Sequence, residues 1–70
     1  MPLLYANKNE ELRIVHISAD AKTKKHLENL GILQGNTITI LSKIGDNLIV
    51  KVLESRIAIN ADLARQIQIG

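Results

Sequence analysis

Leu27-Glu28-Asn29-Leu30-Gly31-Ile32-Leu33-Gln34-Gly35-Asn36-Thr37-Ile38-Thr39-Ile40-Leu41 is the stretch in which this chain changes its period. Upstream, Thr23, Leu27 and Leu30 fall at i, i+4 and i+7, which is one stripe of a helix. Downstream, Thr37 to Leu41 alternates in the two-residue period of a strand. Gly31 stands at the boundary, where a glycine in left-handed conformation ends a helix, and Ile32 can then fold back on Leu27 in a Schellman-type contact. The spacing predicts a helix over Asp20–Leu30, capped at its start by Asp20 or Ser18. A turn over Leu33–Asn36 and a strand over Thr37–Leu41 follow.

Outward from this junction the chain reads as short strands. Glu11–Ile17 (ELRIVHI) is rich in β-branched residues and forms the first. Its inward face is ambiguous, because Leu12, Ile14 and His16 alternate with Arg13, Val15 and Ile17; a bulge or burial of both faces would resolve the conflict. Lys43–Asn47 is a hairpin connection holding Gly45, Asp46 and Asn47. Asn47–Leu53 is a strand with Leu48, Val50 and Val52 on one side, Glu54-Ser55 a turn, and Arg56–Ile59 a short strand. Asn60 caps a helical turn over Ala61–Arg65, and Gln66–Ile69 closes the chain with Ile inward and Gln outward. Residues 1–11 have no clear period, apart from a turn at Asn7-Lys8-Asn9, since Asn tolerates the left-handed backbone. Five short strands in so small a chain leave exposed edges unless the sheet closes on itself. The fold class is therefore mainly β: a small SH3-like barrel of about five strands, with a helix inserted near residues 20–30 and a helical turn near 61–65. The whole of 1–70 forms one domain.

Composition bounds the function. Large aliphatics (eleven Ile, ten Leu, three Val) fill 24 of 70 positions, enough for a packed core. With no Cys there is neither disulfide nor thiolate chemistry. Tyr5 is the only aromatic besides two histidines, so no platform for stacking single-stranded bases and no groove for proline-rich ligands can be built. A net charge of +2 is weak for a nucleic-acid footprint. Apolar runs are too short for a membrane span or a signal-peptide core, and a cytoplasmic protein is the default reading.

No catalytic constellation appears. Ser18, Asp20 and Thr23 lie near His16 and His26 in sequence but on different elements, so the protein reads as a non-enzyme. The glycines are scattered turn glycines rather than a phosphate loop. The histidines lack metal-ligand spacing, with His16 partly buried in a strand and His26 exposed on the helix; no resident metal or cofactor is implied, and metal binding is left to a site shared between molecules. Lys22, Lys24, Lys25 and His26 form the densest basic cluster. They read either as a solvated helix face favoured by the C-terminal dipole or as a docking face above Leu27, Leu30 and Ile32.

The run Leu27-x-x-Leu30-Gly31-Ile32-x-x-Gly35-x-x-Ile38-x-Ile40 resembles the signature of the FeoA family, small accessory proteins of bacterial ferrous-iron uptake. Ile49-Val50-Lys51-Val52, Ser55–Ile59 and Leu63-Ala64-x-x-Ile67-x-Ile69 are similar to the family's later blocks, so the likeness covers residues 10–70. The family's usual glycine turn before the first strand is replaced by Asn7-Lys8-Asn9. The resemblance implies an SH3-like barrel that binds and modulates the GTP-binding domain of a FeoB-type iron transporter, without catalysis, nucleic acid or membrane insertion of its own. The matching motif and the basic cluster together place the contact at Lys24, Lys25, Leu27, Gly31, Ile32 and Arg56, with Gly31 and Gly35 serving backbone geometry more than contact. The alternative is a small-barrel nucleic-acid binder, or an interaction module of the kind found in diphtheria-toxin-repressor-type metalloregulators.

Overall fold

The computed structural model describes residues 1–70. A 3-10 turn (Leu3–Tyr5) leads into β1 (Leu12–Ile17), α1 (Ala21–Asn29), β2 (Thr37–Ile44), β3 (Asn47–Val52), β4 (Ser55–Asn60), α2 (Ala61–Gln66) and β5 (Ile67–Ile69). All pairings are antiparallel, in the order β4-β3-β2-β1-β5, so the last strand returns to the first as the sequence predicts. The result is a strongly bent five-stranded sheet with two small helices, consistent with an SH3-like half-open barrel.

Two irregularities bend the sheet. In β1 the register shifts between Ile14 and His16, so Ile14 and Ile17 are both buried while Val15 and His16 face solvent. This bulge is what resolves the ambiguous alternation of β1, since one extra residue moves everything beyond it to the opposite face. It also exposes His16, which corrects the expectation that this ring is partly buried. A second shift, between Ile40 and Ser42, lets β2 pair with β1 through Leu12↔Ile38 and Arg13↔Thr37 and with β3 through Thr39–Ile44. β2 therefore runs three residues past the expected end at Leu41.

Fifteen buried apolar residues fill the barrel, among them Ile38, Ile40, Leu48, Val50 and Val52 from the central strands and Ile67 and Ile69 from β5. Leu3 and Ala6, in the segment without a readable period, plug the core as well. Lys43 holds that segment in place, its Nζ donating to the carbonyls of Leu4 (3.2 Å) and Ala6 (3.0 Å). At Asn7-Lys8-Asn9 the chain turns with Asn9 at φ 63°, the left-handed conformation that a glycine would take there.

The sheet's two edges differ. β5 is flanked by the start of the chain: the Met1 amino group donates to the Ile69 carbonyl (3.1 Å), the Ile69 N–H donates to the Met1 carbonyl (2.8 Å), and Pro2 bridges to Gln68. β4 has β3 on one side and no strand on the other.

Candidate functional site

The structure builds the end of α1 as the sequence predicts. At its start, the Asp20 carboxylate accepts the Thr23 N–H at 2.7 Å, so Asp20 rather than Ser18 is the cap. That bond, with the Thr23 hydroxyl, holds the Asp20 carboxyl below the ordinary value of 3.8. At its end, the Gly31 N–H donates to Glu28 O (3.0 Å) and the Ile32 N–H to Leu27 O (2.9 Å), the paired bonds of a Schellman motif. Gly31 sits at φ 93°, and a Cβ there would lie 2.8 Å from Leu53 Cδ1 and 3.2 Å from Val52 Cγ1. The Asn36 side chain donates to the Gly31 carbonyl at 2.7 Å, fixing the loop that carries the chain into β2.

The six residues expected at the contact separate into three groups. Leu27 and Ile32 are 1% and 0% exposed. They dock α1 onto the sheet and offer no surface, because the Schellman contact turns them inward. Lys24 and Lys25 are exposed and take part in no ion pair, the molecule's one salt bridge being Arg65–Asp62. Lys24 borders a small cleft of about 180 Å³ with His16, Glu28 and Gln34, between α1 and β1. Arg56 lies elsewhere, on β4, beside an open groove of about 570 Å³. Gly31 is buried yet contributes to the wall of Arg56's groove with Leu30, Leu33, Leu53 and Ile57, while Glu28 and Leu33 border both the groove and the Lys24 cleft.

Leu53 is the residue that the sequence does not mark. It is 64% exposed with φ 55°, at the first position of a two-residue turn, Leu53-Glu54, that the sequence predicts one residue later at Glu54-Ser55. An aliphatic residue in the left-handed region is strained by its Cβ, which is why nothing in its identity points to a turn. A signal is present all the same. Counting forward two residues at a time along the inward Leu48, Val50 and Val52 leaves Leu53 outside the core stripe.

No group of three or more His, Cys, Asp or Glu side chains gathers into a metal-holding cluster, and no helix is long and apolar enough to cross a membrane. What the surface presents is a basic helix face, a groove of mixed lining at the helix end, and an arginine at the groove's rim.

Against known proteins, the family model for the FeoA domain matches residues 1–69. Several solved structures share the fold. The solution structure of a FeoA protein from Chlorobium tepidum superposes with TM-score 0.91 at 18% identity, covering 99% of this chain and 68% of that one. A crystal structure described as an iron uptake regulatory protein, FeoA, gives 0.88 at 24% identity, covering 99% and 93%. The solution structure of iron(II) transport protein A from Clostridium thermocellum gives 0.90 at 21% identity, covering 99% of this chain and 44% of that one. Among curated proteins, no relative matches by sequence.

Proposed function

Because the chain belongs to the FeoA family, we propose that it is a cytoplasmic, non-catalytic accessory protein of ferrous-iron uptake. It binds the GTP-binding domain of a FeoB-type membrane transporter and modulates it. The observation that carries this reading is the family match over nearly the whole chain, residues 1–69. The surface supports it: Lys24 and Lys25 are unpaired cations on a helix whose end is rigidly fixed by the Schellman bonds, so the charges are presented at a defined place. Electrostatic complementarity of this kind sets association rate and partner choice.

The role is to bind rather than to supply a catalytic group. An arginine finger needs to reach a phosphate from an exposed position and accelerates hydrolysis by about 10³–10⁵. Arg65 is engaged with Asp62, and Arg13 and Arg56 lie within strands rather than at loop tips. The test is titration of the transporter's GTP-binding domain with this chain, by calorimetry and by GTPase rate. Binding that the Lys24→Glu/Lys25→Glu double variant weakens, with unchanged melting temperature, is the expected result. Binding unaffected by that reversal would refute the α1 docking face. A fall of several hundred-fold in stimulated GTPase rate on Arg56→Ala would instead make that arginine catalytic.

A further inference from the structure

β4 is an edge strand whose outward hydrogen-bonding groups can be named. It pairs with β3 over six consecutive residues without a register shift, from Asn47↔Asn60 to Val52↔Ser55. The Ala61 N–H donates to the Asp46 carbonyl at 2.8 Å, which fixes the alternation of the ladder. Counting from that bonded pair, Leu48–Ile59, Val50–Ile57 and Val52–Ser55 are bonded pairs, and Ile49–Ala58 and Lys51–Arg56 are non-bonded ones. The N–H and C=O groups of Arg56 and Ala58 therefore point away from β3, and none of them takes part in the bonds made outside the ladders.

Apart from the charge of Arg56, nothing blunts this edge in the usual ways. It holds no proline and no bulge, and no loop is bonded along it as Met1–Pro2 is along β5. Arg56 alone would discourage indiscriminate pairing. A guard residue does not account for Lys51, however, which stands directly across from Arg56 in a non-bonded pair, where side chains come closest. Like charges so placed oppose folding, and neither has an acid within ion-pair distance. Glu11 shares a shallow recess with Lys51 but is not paired with it. The residue after Arg56, Ile57, lines the groove at the end of α1 with Leu30, Leu33 and Leu53, a groove that Glu28 and Arg56 also border.

We infer that the free edge of β4 receives an extended segment of another protein as a sixth strand, alternating carboxylate and aliphatic side chains. Main-chain bonds to Arg56 and Ala58 supply affinity, and alternate side chains supply specificity. The carboxylates meet the Lys51–Arg56 pair and relieve its repulsion; the aliphatics meet Ile57 and the groove. A second copy pairing β4 against β4 does not fit, because Ser55–Asn60 contains no acid. This goes beyond the α1 docking face and stands whether or not that face engages the transporter.

The test uses a capped eight-residue peptide alternating Glu and Val, with amide hydrogen exchange of the full chain followed by NMR. Millimolar peptide should slow exchange at Arg56 and Ala58, with affinity reduced tenfold or more by Arg56→Glu. Alternate N-methylation of the peptide, which leaves the protein untouched, should abolish the protection. Ala58→Pro should weaken binding too, since proline is tolerated on an outward edge position but removes the donor. Unchanged exchange at both amides, equal binding of a Lys–Val peptide, or protection that arises without peptide as protein concentration rises would each overturn the proposal, the last by placing a second copy on the edge.

Discussion

Two hairpin turns of this sheet share one backbone pattern and differ in what occupies it. Gly45-Asp46 joins β2 to β3 and Leu53-Glu54 joins β3 to β4; the first residue has φ 58° in one turn and 55° in the other, and the second residue is not left-handed in either. That is the pattern of a type II′ hairpin turn, which asks for glycine at its first position. The β2–β3 turn meets the demand. The β3–β4 turn accepts strain and displays a leucine that is 64% exposed, against the end of α1 and the rim of the groove. Strain retained at a surface points to function, and here it falls on the hairpin that also carries Arg56 and the open edge.

Four substitutions break or sharpen this contrast. Gly31→Val has the largest effect, because it strikes the strained turn from beneath: the valine would be left-handed and its Cβ would meet Leu53 Cδ1 at 2.8 Å. The strain alone costs about 1–3 kcal/mol, and at roughly 4–8 °C per kcal/mol in a domain of this size the melting temperature should fall by several degrees or more. Calorimetry checks this, and a stable Gly31→Val variant would mean that the helix end does not need its left-handed residue. Next, Gly45→Leu should impose on the relaxed turn the penalty that Leu53 already carries, about 1–2 kcal/mol, with no change in partner binding. Leu53→Gly is the converse. Relief of that penalty is partly cancelled by glycine's backbone entropy, about 0.5–1 kcal/mol, leaving a net gain of at most about 1.5 kcal/mol together with weaker binding of whatever the groove recognises. If Leu53→Gly destabilises the fold, the leucine is packing rather than display.

The smallest effect lies at the start of α1, far from both turns. The Asp20 carboxyl is held below 3.8 by the Thr23 N–H and hydroxyl. A depressed value means that the folded state binds its proton less readily than the unfolded one. The cap's stabilisation is therefore complete above the ordinary carboxylate value and is lost as pH falls through the lowered one. Asp20→Asn keeps an acceptor for Thr23 but has no carboxyl to titrate. Its melting temperature should differ from wild type near neutral pH and converge with it below about pH 4, as thermal melts across that range would register.

Legibility in this chain followed how local each cause is. α1 is readable in sequence but for the choice between Asp20 and Ser18 as its cap, because Asp20, Leu27, Gly31 and Ile32 act within a dozen or so residues of one another. β1 was readable only as a conflict, since the bulge that settles it depends on where β5 pairs. The core roles of Leu3 and Ala6 are illegible in sequence, because their segment packs against α2 and β5, from the other end of the chain, and has no period of its own. At the site, sequence picked out the exposed Lys24 and Lys25 but counted Leu27 and Ile32 as contact residues, although the same helix end that makes them conspicuous also turns them inward. Leu53 escaped because preferences for turn residues describe relaxed backbone, and this turn is not relaxed.

The doubly bonded meeting of Met1 with Ile69 makes the fold close to a ring. A short flexible joint could connect the two ends beside β5 and the chain be reopened between Gly45 and Asp46, giving a circular permutant with the same sheet. In that rearranged order β3 and β4 would lead the chain and β2 would end it. The strained hairpin would then open the chain, yet Leu48, Val50 and Val52 would still have to reach the core beside β2, the last strand made.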